Sequence, residues 1–337
     1  MTFENIDQNT HDILYKHLEI TRETKVMIVY DTETELTKAL VESYKKHLTN
    51  PVLIDFPNAQ EDFIVEEVNK LEKEDLVVLV QTGSFRMSKF RWRLELFHRG
   101  LKVVEHARLG HNKEEEYQTY IDSLTCDIEE NTKKAEYVTK TLEQANILTC
   151  KCKDGSELTI QAPFEAFKHN LGSFANQVNK GGGFPVGEVF TEPKDLSAFN
   201  GTLSVRAYPS MDHKVIVCKP FQVRVQDGFL SYDDGAPEEF QELMKLIKTE
   251  NDHGKIPMRE IGFGLNKHIS FEKKLSETSA FERQRGLHFS LGMKHNIYRK
   301  KVPKELNQRY HIDVYIDVQE MLADNKPFFK EGKYLCE

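Results

Sequence analysis

The sequence has no long apolar run, few cysteines and no excess of basic residues. Its 337 residues include 5 cysteines, and 46 lysines and arginines face 54 acidic residues. The longest apolar runs, such as Leu76 to Val80, fall far short of the roughly 18 to 20 residues that span a bilayer. The first residues have neither the positive nor the apolar region of a secretory signal. We therefore expect a cytoplasmic protein with reduced thiols that binds neither membrane nor nucleic acid.

Three short motifs lack what their usual functions require. Cys150 and Cys152 form a Cys-x-Cys pair, but a zinc site would need a second pair, which is absent. After the first strand signal the sequence reads YDTETE at 30–35, without the glycines that let a backbone approach a pyrophosphate. The run GGG at 181–183 is typical of a flexible approach to the next segment, since no helix signal follows it at once. Dinucleotide binding is therefore not expected.

Strand and helix signals alternate over the first 145 residues. Apolar strands are predicted at Lys25 to Tyr30, Val52 to Asp55 and Asp75 to Val80. Helical periodicity is seen between them, at Glu35 to Leu48 and Glu61 to Leu71. Because parallel strands need crossover connections, this alternation predicts a small parallel sheet with helices on its faces, forming an N-terminal α/β domain over residues 1–145.

A long polar helix, about Ile128 to Ala145, precedes a region of different composition. Beyond it the chain is rich in short β-type segments separated by glycine, with one helix at Pro237 to Thr249. The β-type segments are Ile147 to Cys152, Glu157 to Gln161, Gly201 to Tyr208, Lys214 to Val225 and Tyr310 to Val318. The sequence therefore predicts a second, β-rich and mostly antiparallel domain over residues 146–337.

Five side chains in this second half have the chemistry of metal ligands. Glu188, Glu260 and His288 each stand among apolar residues and glycines, and a carboxylate in such a run costs several kcal/mol unless it is paired or bound to a cation. His311 and Asp313 lie two residues apart, so on a strand they share one face. Nitrogen and oxygen ligands without a thiolate suit Zn²⁺, Mn²⁺, Co²⁺ or Fe²⁺. Five ligands, three of them anionic, fit two ions with a shared carboxylate and a bridging hydroxide.

Each of these signals also has a structural interpretation. A His-x-Asp pair on a strand is common on protein surfaces, and a histidine among apolar residues, such as His288, is often a satisfied core residue. A buried glutamate is commonly neutralised by arginine, and Arg259 is adjacent to Glu260. The metal interpretation gains from the joint occurrence of the five residues in one region.

The runs around these residues resemble the successive signatures of the thermophilic metallo-aminopeptidase family, of the aminopeptidase T and aminopeptidase S type. They read GEVFTEP at 187–193, EIGFGLN at 260–266, HFSLG at 288–292 and HID at 311–313. Order and rough spacing agree over residues 160–320, and the N-terminal half agrees in pattern only. The resemblance implies that Glu188, Glu260, His288, His311 and Asp313 bind two divalent ions. It also implies a homodimer that partly encloses the site.

Two features depart from that family. A tyrosine is usual seven residues after the first histidine, near the reacting centre; His295 stands there instead, with Tyr298 three residues later. The resemblance places His295 and Tyr298, with Glu188 and Glu260, among the candidate catalytic residues. The chain is also several tens of residues shorter than typical members, which suggests missing loops over the cleft and a different substrate.

The sequence also resembles 2,5-dihydroxypyridine dioxygenase, an iron(II) ring-cleaving enzyme of the same fold. That enzyme has a histidine where this chain has Glu260, and it lacks the glutamate corresponding to Glu188. Because both glutamates are present here, the resemblance favours the two-metal hydrolases. A triad of His288, His311 and Asp313 would still suit Fe²⁺ with open positions.

The sequence therefore leads to one main hypothesis and two alternatives. The main hypothesis is a dinuclear metallo-aminopeptidase, with Zn, Co or Mn, that removes the N-terminal residue of a peptide and uses Glu260 or Glu188 as proton shuttle. The first alternative is a mononuclear Fe(II) ring-cleaving dioxygenase acting on a small molecule. The second is a diverged tailoring or binding protein that has lost one metal position.

Overall fold

The structure, a computed structural model, describes residues 3–87, 92–250, 254–292 and 310–336. Its α-helices in chain order are α1 Ile6–Asp12, α2 Glu35–His47, α3 Glu61–Asn69, α4 Trp92–His98, α5 Tyr117–Ser123, α6 Ile128–Glu143, α7 Glu238–Glu250 and α8 Thr278–Phe281. One π-helical segment covers Ile13–His17, and short 3-10 helices cover Phe56–Asn58, Leu109–His111, Glu114–Glu116 and Leu196–Ala198. No helix in these described ranges is long and apolar enough to cross a membrane.

The β-strands belong to one parallel and one mostly antiparallel sheet. In chain order they are β1 Val26–Tyr30, β2 Val52–Asp55, β3 Leu76–Val80, β4 Lys102–His106, β5 Ile147–Cys152, β6 Glu157–Gln161, β7 Lys168–Asn170, β8 Gly181–Gly183, β9 Glu188–Thr191, β10 Phe199–Pro209, β11 Val215–Gln226, β12 Phe229–Ser231, β13 Ile256–Gly264, β14 Gly286–Gly292, β15 His311–Ile316, β16 Val318–Ala323, β17 Lys326–Lys330 and β18 Lys333–Tyr334. The predicted fold class, a parallel α/β sheet followed by a β-rich antiparallel region, is confirmed.

The described chain divides into two compact units that alternate along the sequence. The first unit contains the residues up to Ile128, together with Gly172–Val186 and Leu275–Ala280. The second contains Glu129–Leu171, Gly187–Lys274 and the chain from Phe281 onward. Two later segments of the chain thus complete the first unit, and α6 lies in the second unit from Glu129 onward.

The first unit is built on a five-stranded sheet of order β2-β1-β3-β4-β8, in which every neighbouring pair is parallel. Its central strands β1 and β3 are apolar and buried, as expected for a sheet covered on both faces. The edge strand β8 is the glycine run that the sequence suggested to be flexible, which is a correction. Gly181 has φ +117°, and a Cβ there would lie 1.9 Å from the Val103 carbonyl oxygen. Only glycine fits this close approach to β4.

The second unit contains a closed antiparallel barrel of six strands. The strands pair in the cycle β10, β11, β12, β13, β14, β15 and back to β10. The remaining strands extend it: β9 pairs with β13, and β6, β5 and β16 continue from β10. Because the cycle is closed, each of its six strands is paired on both edges, which fixes the register of the strands.

Alternation along β13, β14 and β15 divides their side chains between two faces. One face contributes apolar residues to the main hydrophobic core of the unit, among them Ile261, Phe263, Leu287, Phe289, Leu291, Ile312, Val314 and Ile316. Because side chains of a strand point alternately to opposite faces, the residues between them all face the other way. Those intervening residues include four of the five sequence-predicted ligands: Glu260, His288, His311 and Asp313.

Candidate metal centre

Strand pairing brings the five predicted ligand residues onto one face of β9, β13, β14 and β15. Four of them stand directly opposite a residue with a very small side chain: Glu188 opposite Gly264, His288 opposite Gly262, Asp313 opposite Ser290, and His311 opposite Gly292. Each functional side chain therefore extends over a neighbour that leaves it room. The glycines and serine of the four sequence runs are the local reason that the face can hold so many polar groups.

Gly262 shows how tight this arrangement is. A Cβ added to Gly262 would lie 2.0 Å from the Nε2 atom of His288, a distance that no real contact allows. Gly262 is two residues beyond Glu260 on β13, and the ligand atoms of Glu260 and His288 lie within 4.8 Å of each other. The missing side chain thus lets the His288 ring lie over the β13 backbone, beside Glu260.

An irregularity in β13 sets the direction of Glu260. The register between β13 and β14 shifts between Met258 and Ile261. The Glu260 backbone N–H donates to Ser290 Oγ at 3.0 Å. Irregularities of this kind redirect a side chain relative to the regular alternation, and they are frequent next to functional sites.

The five side chains form two groups that could each hold one metal ion. In one group the ligand atoms of Glu188, Glu260 and His288 lie within 4.8 Å of one another. In the other the ligand atoms of Glu260, His311 and Asp313 do so. Glu260 belongs to both groups, so the arrangement has the shape of a two-ion site with a shared carboxylate.

The site is buried, and several of its polar atoms lack hydrogen-bond partners among the described residues. These atoms are Glu260 Oε2, His288 Nδ1 and Asp313 Oδ1. Asp313 Oδ1 lies 3.3 Å from His311 Nε2, but without the geometry of a hydrogen bond. Each unsatisfied buried polar group costs about 1 to 3 kcal/mol, and more when it is charged. Bound cations would satisfy atoms of this kind, so the residues present fit the metal that the sequence suggests.

Close packing of carboxylates and imidazoles shifts the pKa values in opposite directions. Burial, followed by the charge of Glu188, raises the pKa of Glu260 well above its usual value. Burial alone would lower the pKa of His311, but Asp313 beside it reverses this and raises the pKa to about 10. Without metal, protons on Glu260 and His311 therefore offset the excess negative charge. Metal ions would release those protons on binding.

Two residues that the sequence did not suggest complete the charge pattern. Arg283 Nη1 donates to Glu188 Oε2 at 2.5 Å and to Glu282 Oε2 at 3.0 Å. The other Glu188 oxygen, Oε1, lies 3.2 Å from His288 Nε2. Burial alone would raise the pKa of Glu188, but the positive charges of Arg283 and His288 lower it. Burial raises the pKa of Glu282 to about 8.

The arginine partner differs from the one considered on sequence grounds. Arg259 is adjacent to Glu260 in the chain, but its Nε donates to the Gly292 carbonyl at 3.1 Å. Arg283 neutralises Glu188 instead, from 95 residues away. The sequence signal that could have indicated Arg283 is weak: a Glu-Arg pair in the run FERQRG at 281–286, directly before β14.

The remaining residues that the sequence singled out either belong to neither ligand group or lie outside the described chain. His295 and Tyr298 lie outside the described residues, so their catalytic roles stay predictions. Cys150 and Cys152 are buried on β5, and burial raises the pKa of both thiols, which makes them poor ligands and good core residues. Asp317, which directly follows β15, accepts a hydrogen bond from Lys153 Nζ at 2.9 Å.

Comparison with known proteins shows the fold. No protein-family model and no curated protein matches the sequence. The structure is similar to 2,5-dihydroxypyridine dioxygenase from Pseudomonas putida KT2440, with a TM-score of 0.62 and 15% identity over 100% of this chain and 99% of that one. It is also similar to wild-type AmpT from Thermus thermophilus, with a TM-score of 0.56 and 12% identity over 98% of this chain and 99% of that one. Each of these structural similarities covers residues of both units.

Proposed function

We propose that the protein is a metal-dependent aminopeptidase with two divalent ions in the second unit. The observation that carries this proposal is the pair of three-residue groups that share Glu260. Similarity to AmpT over nearly the whole length of both chains supports it, as do the sequence runs that resemble the aminopeptidase T family. Zn²⁺, Co²⁺ and Mn²⁺ suit these nitrogen and oxygen ligands.

The residues have distinct roles in this proposal. Glu188 and His288 would hold one ion, His311 and Asp313 the other, and Glu260 would lie between them. When bound, such a pair of ions polarises a scissile carbonyl and lowers the pKa of a water toward neutrality. Of the two predicted proton shuttles, Glu188 is held by Arg283. Glu260 Oε2 has no hydrogen-bond partner in the described chain and is the better candidate.

The iron-dependent ring-cleaving dioxygenase is the second candidate. The likeness to 2,5-dihydroxypyridine dioxygenase supports it, and so does Arg283, which engages Glu188 and would leave a single metal position. The arrangement of the histidines weighs against it. His311 and Asp313 group with Glu260, whereas His288 groups with Glu188 and Glu260. The two histidines and one aspartate thus do not form one compact triad.

Metal content and substrate turnover distinguish the candidates. Protein purified without chelator is analysed for metal, stripped, and reloaded with Zn²⁺, Co²⁺, Mn²⁺ or Fe²⁺ before assay on aminoacyl chromogenic substrates. The expected result is amide hydrolysis that requires a divalent ion and reaches its maximum at two ions per chain. One iron per chain with oxygen consumption on a dihydroxylated aromatic would establish the dioxygenase. Full stripping and reloading without any turnover would favour the diverged binding protein.

A further inference from the structure

Arg283 places a positive charge on one of the two ligand groups. Its Nη1 lies 2.5 Å from Glu188 Oε2, and its side chain is largely buried, with an exposure of 13%. A guanidinium keeps its proton at every ordinary pH, so this charge cannot be removed by titration when a metal approaches. The group of Glu188, Glu260 and His288 therefore already contains a permanent cation bound to one of its ligands.

In the part of the chain that the structure describes, the second group contains no such cation. Asp313 Oδ1 lies 3.3 Å from His311 Nε2, and His311 is itself a member of that group. Among the described residues, no lysine or arginine forms an ion pair with Glu260 or Asp313. Arg283 thus competes with a metal ion for a carboxylate of the first group, and no described lysine or arginine does so in the second.

We propose that Arg283 makes the two metal positions unequal. An ion binds first and tightly to Glu260, His311 and Asp313, and a second ion binds weakly to Glu188, Glu260 and His288. This difference in metal affinity between the two positions rests on the metal site of the proposed function. It goes beyond that function because it assigns the order in which the positions fill and the residue that controls this order. At limiting metal the protein holds one ion.

The weaker step requires Arg283 to release Glu188 or to share it with the ion. Glu282 gives the guanidinium an alternative acceptor, since its Oε2 already lies 3.0 Å from Nη1. Like charges a few ångströms apart in a buried site repel strongly. Contact between Arg283 and Glu188 therefore competes directly with the second ion, while the contact with Glu282 lets the arginine stay buried when Glu188 binds metal.

Metal titration of the intact chain tests the proposal. Stripped protein is titrated with Zn²⁺ by calorimetry in the presence of a competing chelator, with bound metal confirmed by elemental analysis. We expect two steps whose Kd values differ by at least about 100-fold. In Arg283→Met the second step should become at least about 10-fold tighter, with the first step nearly unchanged. Arg283→Lys, which keeps the charge, should retain most of the inequality.

A control separates the effect of Arg283 from loss of charge in general. Arg224 is exposed on β11 of the same barrel, and Arg224→Met should leave both steps unchanged. If Arg283→Met fails to fold, comparison of the wild-type protein with His288→Ala and Asp313→Ala still shows which group binds the tighter ion. His288→Ala should remove the weak step and Asp313→Ala the tight one. Two steps of equal affinity, or the opposite assignment, would overturn the proposal.

The metal titration tests the role of Arg283 without any measurement of substrate turnover. Two unequal steps without hydrolysis of any aminoacyl substrate would leave the role of Arg283 in place and remove the aminopeptidase. Hydrolysis with two equal steps would do the reverse. Because binding and turnover are measured separately, failure of one proposal is distinguishable from failure of the other.

Discussion

Both units bury a histidine completely, but the two histidines respond in opposite ways. In the first unit, His106 Nε2 lies 2.7 Å from the Tyr44 hydroxyl and Nδ1 lies 2.8 Å from the Tyr120 hydroxyl. Burial lowers the pKa of His106 to about 3, so the ring is neutral. In the second unit, burial alone would also lower the pKa of His288, but Glu188 and other carboxylates around it raise the pKa instead.

The difference shows how the two units use their buried polar groups. Hydroxyl partners satisfy His106 on both sides, which stabilises a neutral core. His288 has a carboxylate on one side and no hydrogen-bond partner for Nδ1 in the part of the chain that the structure describes. Buried charge with incomplete pairing is unfavourable for folding and typical of functional sites. The first unit is therefore expected to depend on its internal hydrogen bonds, and the second on bound metal.

The largest expected effect comes from Asp313→Ala, which tests the dependence of the second unit on metal. Removing this carboxylate leaves Glu260 and His311 without the third member of their candidate ligand group, so Zn²⁺ affinity at this position should fall by at least about 100-fold. Hydrolysis should be lost with it. Elemental analysis and the aminoacyl assay measure both effects.

The matched control is Asp317→Ala, four residues further along, whose partner is Lys153. It should keep metal and activity. Trp92, the chain's one tryptophan, is buried in the first unit, and its fluorescence should show that this unit stays folded in both variants. Full metal content and activity in Asp313→Ala would show that the ligand assignment is wrong.

The next largest effect is expected in how the free energy of unfolding depends on pH, which should differ between the two units. The pKa of His106 falls from 6.5 to about 3 on folding, so the unfolded state binds the extra proton and stability is lost as pH decreases below about 6.5. The loss should approach about 1.4 kcal/mol per pH unit from this group. Urea unfolding followed by Trp92 fluorescence between pH 7 and pH 4 measures it.

For His311, in protein from which a chelator has removed the metal, stability should change with pH in the opposite direction. Its pKa rises from 6.5 to about 10 on folding, so its contribution is complete below about pH 6.5 and is lost as pH rises toward 10. Hydrogen exchange of β15 should therefore accelerate at alkaline pH in chelated protein, and added Zn²⁺ should suppress the change. An alkaline loss that is identical with and without metal would contradict this assignment.

A smaller effect is expected from Gly262→Ala. The added methyl group would lie 2.0 Å from His288 Nε2, so the ring must leave its present position. We expect a stability loss of about 1 to 3 kcal/mol and a weaker metal step at His288. Gly83→Ala, where nothing lies within 4 Å of the added carbon, should change neither quantity. Calorimetric titration and urea unfolding measure the two effects.

The smallest effect is expected from Ser290→Ala, which removes the acceptor of the Glu260 backbone N–H. Loss of this buried hydrogen bond should lower the free energy of unfolding by about 1 kcal/mol. Ser231→Ala on the exposed face of β12 should stay within about 0.5 kcal/mol of wild type. Equal stability of both variants would show that the Ser290 hydroxyl is dispensable for the irregularity in β13.

The sequence predicted those elements whose signal is local. The predicted bounds of β2, β5 and β6 agree with the structure, because apolar or alternating runs end there at turn residues. The predicted strand Tyr310 to Val318 is two strands, because β15 pairs with β14 and β10 up to Ile316, whereas β16 pairs with β5 from Val318 onward. Strand β8 was missed because its identity comes from pairing with β4 and not from its own composition.

The same distinction applies to the site. Five candidate ligands could be predicted because each lies in a short run where a polar residue interrupts apolar ones, and the structure brings all five together. Glu282 and Arg283 lie just before β14, where no periodicity gives their direction. The ion pair of Arg283 with Glu188 joins residues 95 positions apart, so only the folded barrel reveals it.

The register of β14 has a consequence for quality control in the cell. His288 and Ser290 alternate with Leu287, Phe289 and Leu291, so a slip of one residue would bury the polar set in the core and expose the apolar set. A slipped register would therefore be unstable as well as lacking the candidate site. Chains in that register would be exposed to chaperones and proteases, so few of them should accumulate.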